Sequence, residues 1–270
     1  MSYLSATDPI GVFDSGVGGL SILKEVRLLL PEEDLIYFAD SRYCPYGAKT
    51  PAFIKERSYK LTEFLLAKGA KLIIVACNTA SVTALEDLRA RYPDVHFVGV
   101  EPAIKQGVLH SRNHKVGVLA TGVTLSGERF YSLVKRYAGE TLIFTQPCHG
   151  LVERIEAGEV EAGGETERIV EECTAPLIES GVDVIILGCT HYPFIRSLVE
   201  KKVGPEVKII DTGAPVARQA LRVLREHNLL TPRTEDGREF FFTSGHPQAV
   251  APVIRRLWGG VGEGVSGQLL

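Results

Sequence analysis

Two cysteines in this sequence share a setting that the other three lack. The stretch GAKLIIVACNT, starting at Gly69, overlies GVDVIILGCTH, starting at Gly181, when the chain is slid along itself so that Cys77 falls on Cys189. The glycine, the paired isoleucines and the cysteine coincide, and the other positions up to the cysteine are small or apolar in both copies, except Lys71 against Asp183. Each thiol closes an apolar run and precedes polar residues able to start a helix: Asn78 and Thr79 in one copy, Thr190 and His191 in the other. A helix N-terminus, or a protonated histidine, is expected to draw a thiol's pKa from about 8.5 toward neutrality. Two such groups on opposite sides of one carbon are what two-base proton transfer requires. One removes a proton, the other returns one from behind, and a stereocentre is inverted.

The elements that must position these thiols are legible as alternating periodicities. The strand candidates are IGVFD, LIYFAD, KLIIVAC, HFVGV, KVGVLAT, TLIFTQ, DVIILGC, VKIID and EFFFTS; between them lie amphipathic segments such as LSILKEVRLLL, PAFIKERSYKLTEFLLAKG, SVTALEDLRARY and PVARQALRVLREHN. This alternation predicts an α/β fold with largely parallel sheets. Two further self-matches, IGVFDSGVGG over VGVLATGVTL and PDVHFVGVEPAIKQ over PEVKIIDTGAPVARQ, keep the same order as the cysteine units and imply a duplicated α/β unit with a pseudo-twofold. Residues beyond the carboxyl ends of parallel strands line a ligand crevice, so facing crevices would place one thiol on either side of a ligand. Ser15, Asn78, Thr79, Thr121 and Thr190 fall in the same loops and, with backbone N–H groups at helix starts, suit carboxylate binding without Arg or Lys. The Gly-rich tail GGVGEGVSGQLL is expected to fray.

Composition narrows the partners. Of 270 residues, 30 are basic and 33 acidic, interspersed, for a formal charge of −3, which leaves no electrostatic footprint for nucleic acid or an anionic membrane and points to small molecules. No apolar run approaches the roughly 20 residues that span a bilayer. The N-terminus shows no basic stretch followed by an apolar core, so a soluble cytoplasmic protein with reduced cysteines is expected. GVGGLS fails the dinucleotide pattern, because Ser21 stands at the third glycine position, and is expected to form a tight strand-to-helix turn. Cys44, Cys148 and Cys173 read as core filler, and VERIEAGEVEAGGETERIVEE as a solvated loop and helix face. Two rival readings stay open: a zinc site built from Cys77, Cys189, His191 and Asp14, and a catalytically silent amino-acid-binding module.

Six stretches, GVFDSGVGGLS (from Gly11), CPYG (from Cys44), VACNTAS (from Val75), GVEPAIK (from Gly99), VGVLAT (from Val116) and LGCTHYPF (from Leu187), together resemble the glutamate racemase family of the aspartate/glutamate racemase superfamily, over most of the chain and in the family order. The resemblance implies two flavodoxin-like parallel-sheet domains with the active site between them, residues 1–100 joining 211–270 in one and 101–210 forming the other. It implies interconversion of L- and D-glutamate with no cofactor and no metal, supplying peptidoglycan synthesis, in a homodimer. Position by position, Cys77 and Cys189 match the catalytic thiols, Asp14 and His191 their polar assistants, and Glu153 a carboxylate near the second thiol. Asp14 with Ser15, Tyr46 with Gly47, Asn78 with Thr79, and Thr190 with His191 match substrate-binding positions. His246 in TSGHP, and CHGLVE before Glu153, depart from the family pattern. A carboxylate beside Cys77 would raise the thiol's pKa, which favours for Asp14 a role in binding the substrate ammonium or relaying a proton. Aspartate stays open as an alternative substrate, since one methylene changes pocket affinity only modestly.

Overall fold

Apolar runs rich in isoleucine and valine become strands of three to six residues. The computed structural model describes residues 5–260 and 264–270. All nine runs named above form strands: β1 (Ile10–Asp14), β2 (Leu35–Ala39), β3 (Leu72–Val75), β4 (His96–Gly99), β5 (Lys115–Ala120), β6 (Leu142–Pro147), β7 (Val184–Leu187), β8 (Lys208–Ile210) and β9 (Glu239–Thr243). A tenth, β10 (Val265–Gly267), comes from the tail.

The strands form two sheets in which every pairing is parallel. One runs β10-β9-β2-β1-β3-β4, the other β6-β5-β7-β8. The order β2-β1-β3-β4 recurs as β6-β5-β7-β8, the topology that the internal sequence matches require. Mixed α/β layers with purely parallel sheets bury strands on both faces. Accordingly β1, β2, β3 and β7 carry no exposed residue.

The glycine shared by the two repeat units has one structural job in both. Gly69 and Gly181 adopt left-handed backbone, at φ +81 and +70, where a side chain would be strained. Each ends the helix before its strand in the same hydrogen-bond pattern: Gly69 N–H to Leu66 O and Ala70 N–H to Leu65 O, Gly181 N–H to Ile178 O and Val182 N–H to Leu177 O. The one mismatch, Lys71 against Asp183, reflects different tethers. The buried Lys71 ammonium meets the Glu33 carboxylate and the Ala6 carbonyl, each at 2.5 Å. Asp183 instead accepts from the Ser111 hydroxyl (2.6 Å) and the amides of Arg112 (2.6 Å) and Asn113 (3.1 Å), tying down the loop before β5.

The tail does not fray where it is described. β10 pairs with β9, the Gln268 amide donates to the Thr243 carbonyl (2.8 Å), and the Leu270 carbonyl accepts from Arg57 Nη1 (2.9 Å). The open backbone edge of β9 supplies partners that composition does not reveal. Val261, Gly262 and Glu263 of that tail lie outside the described residues. Among the described residues no helix is long and apolar enough to cross a membrane.

Candidate active site

Both cysteines of the repeat stand just beyond strand ends: Cys77 follows β3 and Cys189 follows β7, on different sheets. Ser15 follows β1 and Thr121 follows β5 in the same way. These four, with Tyr46, Gly47, Asn78, Thr79, Thr190 and His191, line a single pocket. Asp14 lies directly behind it, fully buried. The free volume between the lining residues is about 10 Å³, room for roughly one water molecule.

On the first sheet, the thiol of Cys77 itself caps the helix Asn78–Arg91, accepting from the Ala80 amide at 3.4 Å. The capping that sequence assigns to Asn78 or Thr79 is thus performed one position earlier. That amide and the Ser15 hydroxyl, 3.7 Å away, favour the thiolate. Burial outweighs both and, with the nearby Asp14 charge, pushes the Cys77 thiol up to about 12 rather than down toward neutrality. Asp14 accepts from the Gly16 amide (2.9 Å) and the Thr190 hydroxyl (3.0 Å), and burial holds its carboxyl above the usual range. With Ser15 Oγ 3.4 Å from Asp14, a continuous polar chain runs from Cys77 through Ser15 and Asp14 to Thr190, the residue next to Cys189.

On the second sheet, Cys189 Sγ lies 3.7 Å from His191 Nδ1, and His191 Nε2 lies 2.6 Å from Glu156 Oε1. Burial alone would depress the imidazole. Its hydrogen bonds to Cys189 and Glu156, with the Cys44 sulfur alongside, reverse that and hold His191 well above its ordinary pKa. The carboxylate that reaches the second thiol's side of the pocket, through His191, is Glu156, one helical turn beyond Glu153. Glu153 is exposed on the same helix, Leu151–Glu156, and borders an adjoining cleft of about 130 Å³ with Pro45, Gly47 and Thr121. Residues three apart share a helix face, so the sequence offered both. Only the packing of that helix against the first strand-to-helix turn selects Glu156.

The glycines of GVGGLS make that approach possible. A Cβ on Gly16 would overlap the Glu156 carboxylate, and one on Gly18 the His191 ring. One on Gly19 would sit 2.6 Å from Asp14 Cβ. The turn is tight because catalytic-type side chains of the other sheet close onto its backbone. The Val17 amide donates to Glu156 (2.6 Å), and the Ser21 hydroxyl donates to the Thr190 carbonyl (2.7 Å), so the turn also joins the two halves.

The remaining residues form the polar wall. The Asn78 side-chain amide is buried, and neither its oxygen nor its nitrogen finds a hydrogen-bond partner among the described residues. A buried unpaired amide facing a pocket is what a bound polar ligand satisfies. Thr79, Thr121 and Thr124 form a hydroxyl triangle with edges of 3.0–3.3 Å. The Tyr46 hydroxyl donates to Asp40 (2.5 Å), which Arg57 clamps through two nitrogens at 2.8 and 2.9 Å. Gly47 packs against Thr121, where a Cβ would lie 3.0 Å from Thr121 Cβ.

Two residues escaped the sequence pattern: Glu156, and Cys44, which packs against the core as expected but also stands beside His191. Cys44, Glu156 and His191 are the His, Cys, Asp and Glu side chains whose donor atoms converge within 4.8 Å of one another among the described residues. The set Cys77, Cys189, His191 and Asp14, weighed as a zinc site, does not converge at that spacing.

Two parallel α/β sheets thus bring two thiols into the lining of one pocket, an arrangement suited to acid/base chemistry on a small ligand. Residues 20–220 match the Asp/Glu/Hydantoin racemase family. The chain is 48% identical over 256 residues to the glutamate racemase of Pseudomonas aeruginosa (strain UCBPP-PA14), covering 93% of this chain and 94% of that protein. The fold superimposes on glutamate racemase from Francisella tularensis subsp. tularensis SCHU S4, solved with D-glutamate, with a TM-score of 0.84 and 30% identity over 98% of both chains. It is equally similar to Escherichia coli glutamate racemase, solved with L-glutamate and the activator UDP-MurNAc-ala: TM-score 0.84, 31% identity, 97% of this chain and 98% of that one. The chain belongs to the Asp/Glu/Hydantoin racemase family, whose members are isomerases.

Proposed function

We propose that the protein interconverts L- and D-glutamate without a cofactor, by proton transfer between Cys77 and Cys189 through the substrate α-carbon. The observation that carries this is the placement of two thiols, from equivalent strand ends of two equivalent sheets, in one polar pocket. Relatives named glutamate racemase, and neighbours solved with each enantiomer, support glutamate as the substrate.

In this scheme His191, 3.7 Å from the sulfur, donates to a Cys189 thiolate, which takes the α-proton of one enantiomer. Cys77, kept protonated by burial, gives its proton to the opposite face. The turnover leaves Cys189 as thiol and Cys77 as thiolate, ready for the reverse direction, and the chain Ser15–Asp14–Thr190 offers a route for resetting the protons. Asn78 and the Thr79/Thr121 hydroxyls hold the carboxylates, and Asp14, behind the pocket wall, supplies the negative charge that attracts the ammonium. Because the pocket admits about one water, glutamate enters by separation of the two sheets at the adjoining cleft. Residues 1–100 with 211–270, and 101–210, are the two bodies that separate. We further assign the protein to a cytoplasmic homodimer supplying D-glutamate for peptidoglycan, as the family resemblance implies.

The deciding experiment follows each glutamate enantiomer in D₂O by NMR and circular dichroism. Deuterium should enter Cα as optical activity decays to zero from either side. A protein that binds glutamate yet catalyses no α-proton exchange would be a binding module, and the proposal would be wrong.

A further inference from the structure

Cys44 has no part in the proton transfer just described, yet it completes a cluster of three different metal-type donors. Its sulfur, a carboxylate oxygen of Glu156 and a ring nitrogen of His191 lie within 4.8 Å of one another. The three come from separate elements: the loop after β2, the helix Leu151–Glu156 and the loop after β7. Zn–N and Zn–O bonds near 2.1 Å and Zn–S bonds near 2.3 Å put the donors of a tetrahedral shell roughly 3.3–3.8 Å apart, so this cluster closes onto a cation with shifts of about 1 Å. Sulfur and imidazole nitrogen select thiophilic ions over magnesium or calcium. Cys44 and Glu156 are partly exposed, which leaves an approach from solvent although His191 is buried.

We propose that Cys44, Glu156 and His191 form a binding site for a thiophilic divalent cation of the Zn²⁺ class, and that its occupancy stops proton transfer at Cys189. The inhibitory half follows from the two bonds His191 makes. One ring nitrogen meets Glu156 and the other meets Cys189, so a metal on either nitrogen breaks one link of the series Glu156–His191–Cys189. The site is then a built-in off-switch governed by free metal. Its binding half stands alone; its inhibitory half rests on the proposed racemization.

The test begins without turnover. Metal-free protein is titrated with Co²⁺, whose thiolate-to-metal charge-transfer band reports sulfur ligation. One Co²⁺ per chain should produce the band and Zn²⁺ should bleach it. Cys44→Ser and Cys44→Ala, checked for native circular dichroism, should abolish it, while Cys77→Ser should retain it. A band that persists in both Cys44 variants, or no band in the parent, overturns the site. The second arm follows glutamate racemization in Zn²⁺-buffered solution, each variant against its own metal-free rate. Loss of the Cys44 ligand should raise the half-inhibiting Zn²⁺ concentration by at least about 10–100-fold, the cost that even an outer-shell partner carries. Equal inhibition of parent and Cys44 variants refutes the switch. A protein that binds Co²⁺ through Cys44 but racemizes nothing would sink the proposed function and leave the binding site standing.

Discussion

His191 Nε2 and Glu156 Oε1 stand 2.6 Å apart, while the other face of the same imidazole lies 3.7 Å from Cys189 Sγ. A carboxylate, an imidazole and a thiol thus form a series in which the outer charge fixes the ring and the ring serves the sulfur. On the opposite wall Cys77 has no such partner, only the Ala80 amide and the Ser15 hydroxyl. The two thiols are equivalent in sequence position but not in electrostatic support.

Replacing Glu156 by Gln is therefore expected to lower kcat by about 10–100-fold, the usual worth of an outer partner that orients a functional side chain, and to shift the pH profile of the direction that starts from Cys189. Glu153→Gln, on the exposed side of the helix, should stay close to the parent in both directions. Initial rates from each enantiomer across pH measure this, and the reverse ranking would restore Glu153 to the site.

Cys77→Ser and Cys189→Ser should each abolish racemization while leaving the fold intact, since oxygen is near in size but far less acidic. If either serine variant racemized both enantiomers at the parent rate, that result would falsify the two-thiol scheme. A single variant that still exchanges the α-proton of one enantiomer with D₂O would identify which face the surviving thiol addresses.

Gly18→Ala is expected to cost about 1–3 kcal/mol, because its methyl group falls on the His191 ring and the sheets must part to accommodate it. Urea unfolding gives the stability, and the racemization rate should drop with it. Unchanged stability and rate would mean that the turn and the ring are not held together in solution.

The raised pKa of His191 makes stability depend on pH in a defined sense. The folded protein keeps a proton that the unfolded chain releases near 6.5, so this contribution is complete below 6.5 and is lost as pH rises through the folded value. Urea midpoints should decline through the neutral-to-alkaline range in the parent. His191→Gln should flatten that decline; an identical slope in the variant would show that another group titrates.

Much of this protein is written locally. Nine strands, the parallel α/β class and the duplicated order are legible because strand periodicity and a repeated glycine-strand-cysteine unit are short-range signals. The shared left-handed backbone of Gly69 and Gly181 shows that the repeat carries a structural requirement as well as a chemical one. The pairing of Cys77 with Cys189, and the pocket residues from Ser15 to His191, follow from strand ends lining a crevice.

What the tertiary structure decided has one physical cause: it depends on which distant groups meet, and on how much water they lose when they do. Helical spacing presents Glu153 and Glu156 alike, and only the docking of their helix onto the glycine turn selects Glu156. Cys44 carries no periodic signal, so its place beside His191 emerges only when three separate segments converge. The Gly-rich tail looks mobile by composition, but the edge of β9 gives its backbone partners. The sequence puts Cys77 at a helix start, where a low pKa is expected; burial beside Asp14 wins and pushes it up to about 12. Composition and spacing determine which residues are offered, and long-range packing and desolvation determine which of them act and with what charge.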